Sequence, residues 1–144
     1  MNFNFKDKFT EYLNENPQVL VFDMGAQVGQ YSLFAAKMGH NVLIVEPFED
    51  NILRIHKAVY LEYLQDRIVL VKNALSNKRN EIKLLQKDPN NVGGQSLLNK
   101  YNINKTYSRS EMASNKYLVE TILMDDLIDY IRLNKYMLND MKEQ

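Results

Sequence analysis

Val19-Leu-Val-Phe-Asp23-Met-Gly25-Ala-Gln-Val-Gly29 is the stretch that decides the fold. From Gln18 to Asp23 the apolar residues run without alternation, the pattern of a parallel strand buried on both faces. Met24 to Val28 is a turn of mostly small residues. Tyr31, Leu33, Phe34, Ala35 and Met38 then supply helical contacts before Gly39 ends the segment. One strand, one turn and one helix follow each other in 22 residues or so, the start of a βαβ rhythm.

The rhythm continues. Val42-Leu-Ile-Val45 reads as a second buried strand ending at Glu46-Pro47, and Phe48, Ile52, Ile55 and Val59 form the stripe of a second helix. A third strand is expected over Arg67 to Lys72. Strands alternating with helices at this spacing imply right-handed parallel crossovers and an open, doubly wound α/β sheet. Upstream, Phe5, Phe9 and Leu13 recur every four residues, so Asn4 to Asn16 is expected to be an amphipathic helix stopped at Asn16-Pro17. Downstream, Glu81-Ile-Lys-Leu-Leu85 reads as a strand closed by the turn-rich Lys87-Asp-Pro-Asn-Asn-Val-Gly-Gly94. Gln95 to Tyr117 reads as a long polar surface loop. Val119 to Met124 reads as a further strand, with Asp125 capping a helix over Asp126 to Leu133. The expected organisation is an N-terminal helix over residues 1–17, one domain over 18–133 and a polar tail over 134–144.

Composition narrows the chemistry. The chain has 144 residues, 45% hydrophobic and 25% charged, which suits one globular domain. Lys plus Arg and Asp plus Glu both number 18, so no global field draws the chain to nucleic acid or to an acidic membrane. Lys100, Lys105, Arg109 and Lys116 interleave with Tyr101, Tyr107 and Tyr117, but a solvated polar loop accounts for them equally well, and no nucleic-acid partner is expected. The absence of cysteine excludes disulfides, thiolate nucleophiles and Cys-based zinc sites. His40 and His56 have no acidic or histidine neighbour at metal-ligand spacing and read as structural or solvent-facing, so no metal is expected. No signal peptide and no run of about 18 apolar residues is visible, so a cytoplasmic location without a membrane span is expected.

In a doubly wound sheet the ligand lies beyond the carboxyl ends of the strands, where the first turn meets a helix N-terminus. Gly25 and Gly29 sit there. A side chain at Gly25 would obstruct a ligand, while Gly29 lets the helix start pack closely. Glu46 ends the neighbouring strand, where a carboxylate can accept both hydrogen bonds from a ribose diol. A dinucleotide fingerprint reads G-x-G-x-x-G, whereas this turn reads Asp23-x-Gly25-x-x-x-Gly29. A carboxylate beside a helix start disfavours a pyrophosphate but tolerates a ligand carrying an ammonium and a sulfonium, which points to S-adenosylmethionine rather than NAD. Asn73, just past the third strand, is placed to hydrogen-bond an adenine edge, or to form a turn.

These residues resemble the FkbM-type methyltransferases, which transfer methyl groups from S-adenosylmethionine mostly to hydroxyl oxygens of sugars, lipids and natural products. Val21-Phe-Asp-Met-Gly-Ala-Gln-Val-Gly-Gln-Tyr-Ser-Leu-Phe-Ala-Ala36 is similar to the family's first motif and Val45-Glu-Pro-Phe48 to its second. Asn73-Ala-Leu-Ser76, Gly93-Gly-Gln-Ser96 and Leu123-Met-Asp-Asp-Leu127 resemble later blocks, in the family's order, over about residues 19–131. The resemblance implies a Rossmann-like fold, S-adenosylmethionine as cofactor and a small-molecule or glycan-like hydroxyl substrate. It assigns Asp23, Gly25, Ala26 and Gly29 to the methionine and ribose side of the cofactor, Glu46 to the ribose hydroxyls, and Asn73 and Ala74 to the neighbourhood of the adenine. Ser96 is a weaker candidate, and no catalytic residue is assigned.

One block of the family is missing. After Ile131 the chain reads Arg-Leu-Asn-Lys-Tyr-Met-Leu-Asn-Asp-Met-Lys-Glu-Gln144, without the fourth strand whose acids lie near the reacting centre in the family. That strand normally pairs with the first, so Val19 to Phe22 is expected to form an exposed edge open to self-association or to a partner chain. Burial of four such side chains is worth about 1.5 to 3 kcal/mol each, comparable in sum to a domain's net stability. The expectation is therefore a truncated sheet, and the alternatives are a catalytically incomplete S-adenosylmethionine-binding module working with a partner or, less favoured by the glycine spacing, an NAD-dependent oxidoreductase.

Overall fold

A computed structural model describes residues 4–88, 91–97, 105 and 107–140. The first elements are α1 (Phe5–Glu15), β1 (Val21–Met24), α2 (Gln30–Lys37), β2 (Val42–Val45), α3 (Glu49–Leu61) and β3 (Ile68–Val71). Each follows from its sequence. The Asn4 side chain caps α1 by accepting from the Lys6 amide, and α1 stops at Asn16, where Pro17 would clash with a continuing helix. Gly39 follows α2 with a φ of 97°, a backbone conformation that an L side chain rarely adopts.

β1, β2 and β3 form one parallel sheet in the order β1-β2-β3, with Val21 opposite Val42 and Val42 opposite Ile68. Parallel strands need crossovers, and α2 and α3 supply them. All four residues of β2 are buried, and they alternate between two cores. Val42 and Ile44 pack with Leu13, Ala35, Ala36, Ile55 and Val59, so α1, α2 and α3 cover one face. Leu43 and Val45 face the other way, against Leu127. Helices therefore lie on both faces of the parallel sheet, an α/β architecture, and the non-alternating Val-Leu-Ile-Val is what that burial demands.

The chain continues with β4 (Ala74–Leu75), β5 (Ile82–Leu84), β6 (Gln86–Asp88), β7 (Asn91–Ser96), α4 (Arg109–Ser114), β8 (Leu118–Ile122) and α5 (Met124–Asp140). A second, mixed sheet has the order β4-β8-β5, parallel between β4 and β8 and antiparallel between β5 and β8. β6 and β7 make a separate antiparallel hairpin with an irregularity at Lys87/Asp88. Phe48, Ala74, Leu85 and Val119 form the core between this region and the start of α3.

Four expectations are corrected here. The turn-rich Lys87 to Gly94 belongs largely to the hairpin strands. Gln95 to Tyr117 is not one loop: β7 reaches Ser96, and α4 starts at a capping box in which Ser108 and Glu111 exchange hydrogen bonds. That helix is too short and polar to show an apolar period. The last helix begins at Met124, and Asp126 rather than Asp125 holds its start by accepting from the Leu123 amide at 2.9 Å. Its backbone runs to Asp140, into the stretch expected as a polar tail. Lys100 and Tyr101 lie outside the described residues, as does the side chain of Ser96.

Candidate functional site

Two turns meet at the carboxyl ends of β1 and β2. The first begins where the Gly25 amide donates to the Val45 carbonyl at 2.8 Å, extending the β1–β2 ladder by one bond beyond Met24. The chain then turns through Gly25 at φ 74°, Gln27 at φ 53° and Gly29 at φ 76°. Gly29 donates to the Ala26 carbonyl and its own carbonyl accepts from Leu33, so it is the residue through which the turn enters α2. No side chain caps that helix start.

The two glycines serve different ends. A Cβ on Gly29 would stand 3.1 Å from Cγ1 of Ile55, so its missing side chain lets α2 approach α3. A Cβ on Gly25 would meet nothing within 4 Å. No packing accounts for Gly25, only its positive φ and the open space in front of it. Ala26 is half-buried against the core of α1, α2 and α3.

Asp23 is half-buried at the end of β1, and its Oδ2 accepts a short hydrogen bond from the hydroxyl of Ser32, which is fully buried in the first turn of α2. The pair ties the helix to the strand it follows. Oδ1 of Asp23 has no donor among the described residues.

Glu46 is the centre of the second turn and is only 3% exposed. Its Oε2 accepts from the Gln27 amide at 2.8 Å, and its Oε1 accepts from the Phe48 amide at 2.9 Å and from Asn51 Nδ2 at 3.3 Å. One carboxylate thus joins the turn after β1, the turn after β2 and the first turn of α3. Two carboxylate oxygens offer about four acceptor directions, so about one remains. A ribose diol would find one direction free on Oε2 and a second only if the Gln27 amide yields.

Farther along the carboxyl ends of the strands lies an open cleft of about 770 Å³. Glu49, Lys72 and Asn73 form one wall, and Met112, Ser114 and Lys116 the other. Asn73 faces this cleft, with its Nδ2 donating to the Glu120 carbonyl at 3.0 Å. Ala74 is 3% exposed, and its methyl packs with Phe48 and Val119 in the core. Lys72 pairs with Glu49 at 2.7 Å and Lys116 with Asp50 at 2.9 Å. The hydrogen bond to Asp50 holds the Lys116 ammonium above its usual range. Arg109 pairs with Glu120 at 2.9 Å, and Lys105 lies over the Tyr107 ring.

The structure therefore brings Asp23, Gly25, Ala26, Gly29 and Glu46 together around two facing turns, while Asn73 belongs to the adjoining cleft and Ala74 to the core. Ser32, Asn51 and the α4 wall were not anticipated. The signal for the first two was a polar residue on an apolar helix face: Ser32 precedes Leu33-Phe-Ala-Ala36, and Asn51 lies three residues after Phe48 on the stripe of Ile52 and Ile55. His40 is buried with Nδ1 3.4 Å from the Val19 carbonyl, and His56 is exposed. Among the described residues no three His, Cys, Asp or Glu side chains gather as metal ligands, and no helix is long and apolar enough to cross a membrane. Compared with protein-family models and with curated proteins, the chain matches none.

Proposed function

We propose that this chain carries the cofactor-facing part of an S-adenosylmethionine-dependent methyltransferase of the FkbM type, with a Rossmann-like sheet, acting on a hydroxyl of a sugar, lipid or small natural product in the cytoplasm. The observation that carries this reading is Gly25. It stands between an acid and a helix start, at positive φ, with open space where its side chain would be. Asp23 offers an oxygen without a donor among the described residues, Glu46 lies across the facing turn, and the Asp-x-Gly-x-x-x-Gly spacing disfavours a pyrophosphate.

When bound, S-adenosylmethionine supplies a methyl carbon that a substrate oxygen attacks in line as the carbon–sulfur bond breaks. The residues present would bind and align: Asp23 toward the ammonium, the Gly25–Gly29 backbone along the methionine and ribose, Glu46 on the ribose hydroxyls and Asn73 at the adenine end. No residue among them is assigned as the base that takes the hydroxyl proton.

A second reading is favoured by one observation at β1. The Val21 amide donates to the Asn41 carbonyl just ahead of β2 and the Gly25 amide to Val45 at its end, so in a parallel ladder the backbone groups of Leu20, Phe22 and Met24 point away from β2. No strand pairs with that side among the described residues. A cofactor-binding module completed there by a partner strand fits this edge.

Thermal melts with S-adenosylmethionine, S-adenosylhomocysteine and NAD test both. At a hundredfold excess over its dissociation constant a ligand adds about 2.7 kcal/mol, a shift of several degrees. A shift with the two methionine-derived ligands, lost in Gly25→Val, is expected. A cooperative melt that moves with neither of them would end the methyltransferase reading, and one that moves only with NAD would replace it. A shift without methyl transfer to hydroxyl acceptors, with a concentration-dependent mass in sedimentation, would favour the partnered module.

A further inference from the structure

Asn51 is fully buried, a placement that costs free energy unless its amide is satisfied at both ends. It is. Its Oδ1 accepts from Nη1 of Arg54 at 3.1 Å, and its Nδ2 donates to Oε1 of Glu46 at 3.3 Å. The orientation of the amide follows from chemistry: a guanidinium can only donate, so Asn51 must turn its oxygen to Arg54 and its NH₂ to Glu46. Arg54 thereby fixes which end of Asn51 meets the carboxylate.

The consequence falls on Glu46. Its Oε1 is filled by two donors, the Phe48 amide and Asn51, whereas Oε2 has only the Gln27 amide. With one amide on each oxygen, Phe48 on Oε1 and Gln27 on Oε2, the carboxylate could still rock about its terminal torsion, which is broad. The second donor on Oε1 restricts that rotation and leaves Oε2 as the oxygen presented to the first turn.

We propose that Asn51, oriented by Arg54, is a positioning residue that sets the rotation of the Glu46 carboxylate and thereby its recognition of a ribose diol. This rests on the assignment of Glu46 to that diol. Asn51 touches no ligand itself, so its effect must depend on the ligand's hydroxyls and not on the ligand as a whole.

Titration calorimetry with S-adenosylhomocysteine and its 2′,3′-dideoxy analogue separates these cases, using the full chain and the variants Asn51→Leu and Asn51→Asp. Leucine keeps the volume and deletes both polar ends; aspartate keeps the shape and replaces the donor with an acceptor facing Oε1, so the outcome does not hang on one variant folding. Melting curves establish that each is folded. Loss of one hydrogen bond to a charged group corresponds to about tenfold in affinity. Asn51→Leu is expected to weaken S-adenosylhomocysteine about tenfold, Asn51→Asp by more, and the dideoxy analogue by less than twofold in either. Equal weakening of both ligands, or unchanged binding of both, would overturn the positioning role while leaving the cofactor assignment standing. If the unaltered chain binds neither ligand, the cofactor assignment itself falls, and Asn51 with it.

Discussion

β1 and β2 are adjacent parallel strands of equal length, yet they end in opposite ways. Every residue of β2 is buried, and the strand runs into a carboxylate whose oxygens already hold three donors. β1 is half-buried, its last residue Met24 is 54% exposed, and it runs into a glycine with nothing in front of it. The difference shows where stability and accessibility reside. The turn after β2 is a polar knot inside the protein; the turn after β1 is largely exposed at the surface. The residues most suggestive of a ligand lie on the less packed of the two.

The sharpest way to break that contrast is to remove the acid from each turn. Glu46→Ala leaves the Phe48 amide and the buried Asn51 side chain without their acceptor, and is expected to cost about 3 kcal/mol, because an abandoned buried donor loses about 1 to 3 kcal/mol. Asp23→Ala strands only the Ser32 hydroxyl, and about 1 kcal/mol is expected. Chemical denaturation of the two variants checks the ordering. Equal losses would mean that the two turns are packed alike in solution. A ligand assay on Glu46→Ala would mix folding with recognition, which is why Gly25 is the better probe of binding.

How far the sequence was readable follows the same division. The buried strand Val42 to Val45 and the stripe Phe48, Ile52, Ile55 and Val59 were legible because burial on both faces of a strand and on one face of a helix imposes period and composition. The close packing at Gly29 was legible too, but the positive φ that Gly25, Gln27 and Gly29 share was not, since Gln27 carries no glycine signal. Asn51 was not, because a single polar residue on an apolar stripe says nothing of the acid it serves. Ala74 shows the converse: only the resemblance put it near the adenine, and the fold packs its methyl with Phe48 and Val119. α4 escaped because its determinant is a cap, Ser108 with Glu111, and not a pattern of apolar residues.

The two glycines refine the comparison at a smaller scale. A left-handed φ costs an L residue about 1 to 2 kcal/mol, so Gly25→Ala is expected to lose about that much and no more. Gly29→Ala carries the same backbone cost and adds a contact 3.1 Å from Ile55, for which overpacking contributes about 1 to 3 kcal/mol. Melting temperatures should therefore fall further for Gly29→Ala, and in an Ile55→Ala background, which removes Cγ1, the further loss caused by Gly29→Ala should shrink while that caused by Gly25→Ala should not. If the Ile55→Ala background changes neither loss, the approach of α2 to α3 is not what fixes Gly29.

The smallest effect belongs to the cleft wall. The Ser108 amide and hydroxyl, in that order, lower the pKa of the Glu111 carboxyl below the usual carboxylate range. A group whose folded value is lowered favours the folded form above its unfolded value, about 4.3 for glutamate, and that preference disappears as pH falls through the lowered value. α4 should thus be held fully at neutral pH and fray in acid before the β1–β2–β3 sheet does. Amide exchange at Met112, whose N–H donates to the Ser108 carbonyl, reports it. Lowering the pH from 7 to 3 is expected to reduce protection there, after correction for intrinsic exchange, by a few-fold. Glu111→Gln should abolish this pH dependence, because it removes the titrating group while leaving an acceptor for Ser108. Protection at Met112 that falls in parallel with that of Val45, which lies in the sheet core, would instead make α4 part of the same cooperative unit as β2, and the cleft as rigid as the knot at Glu46.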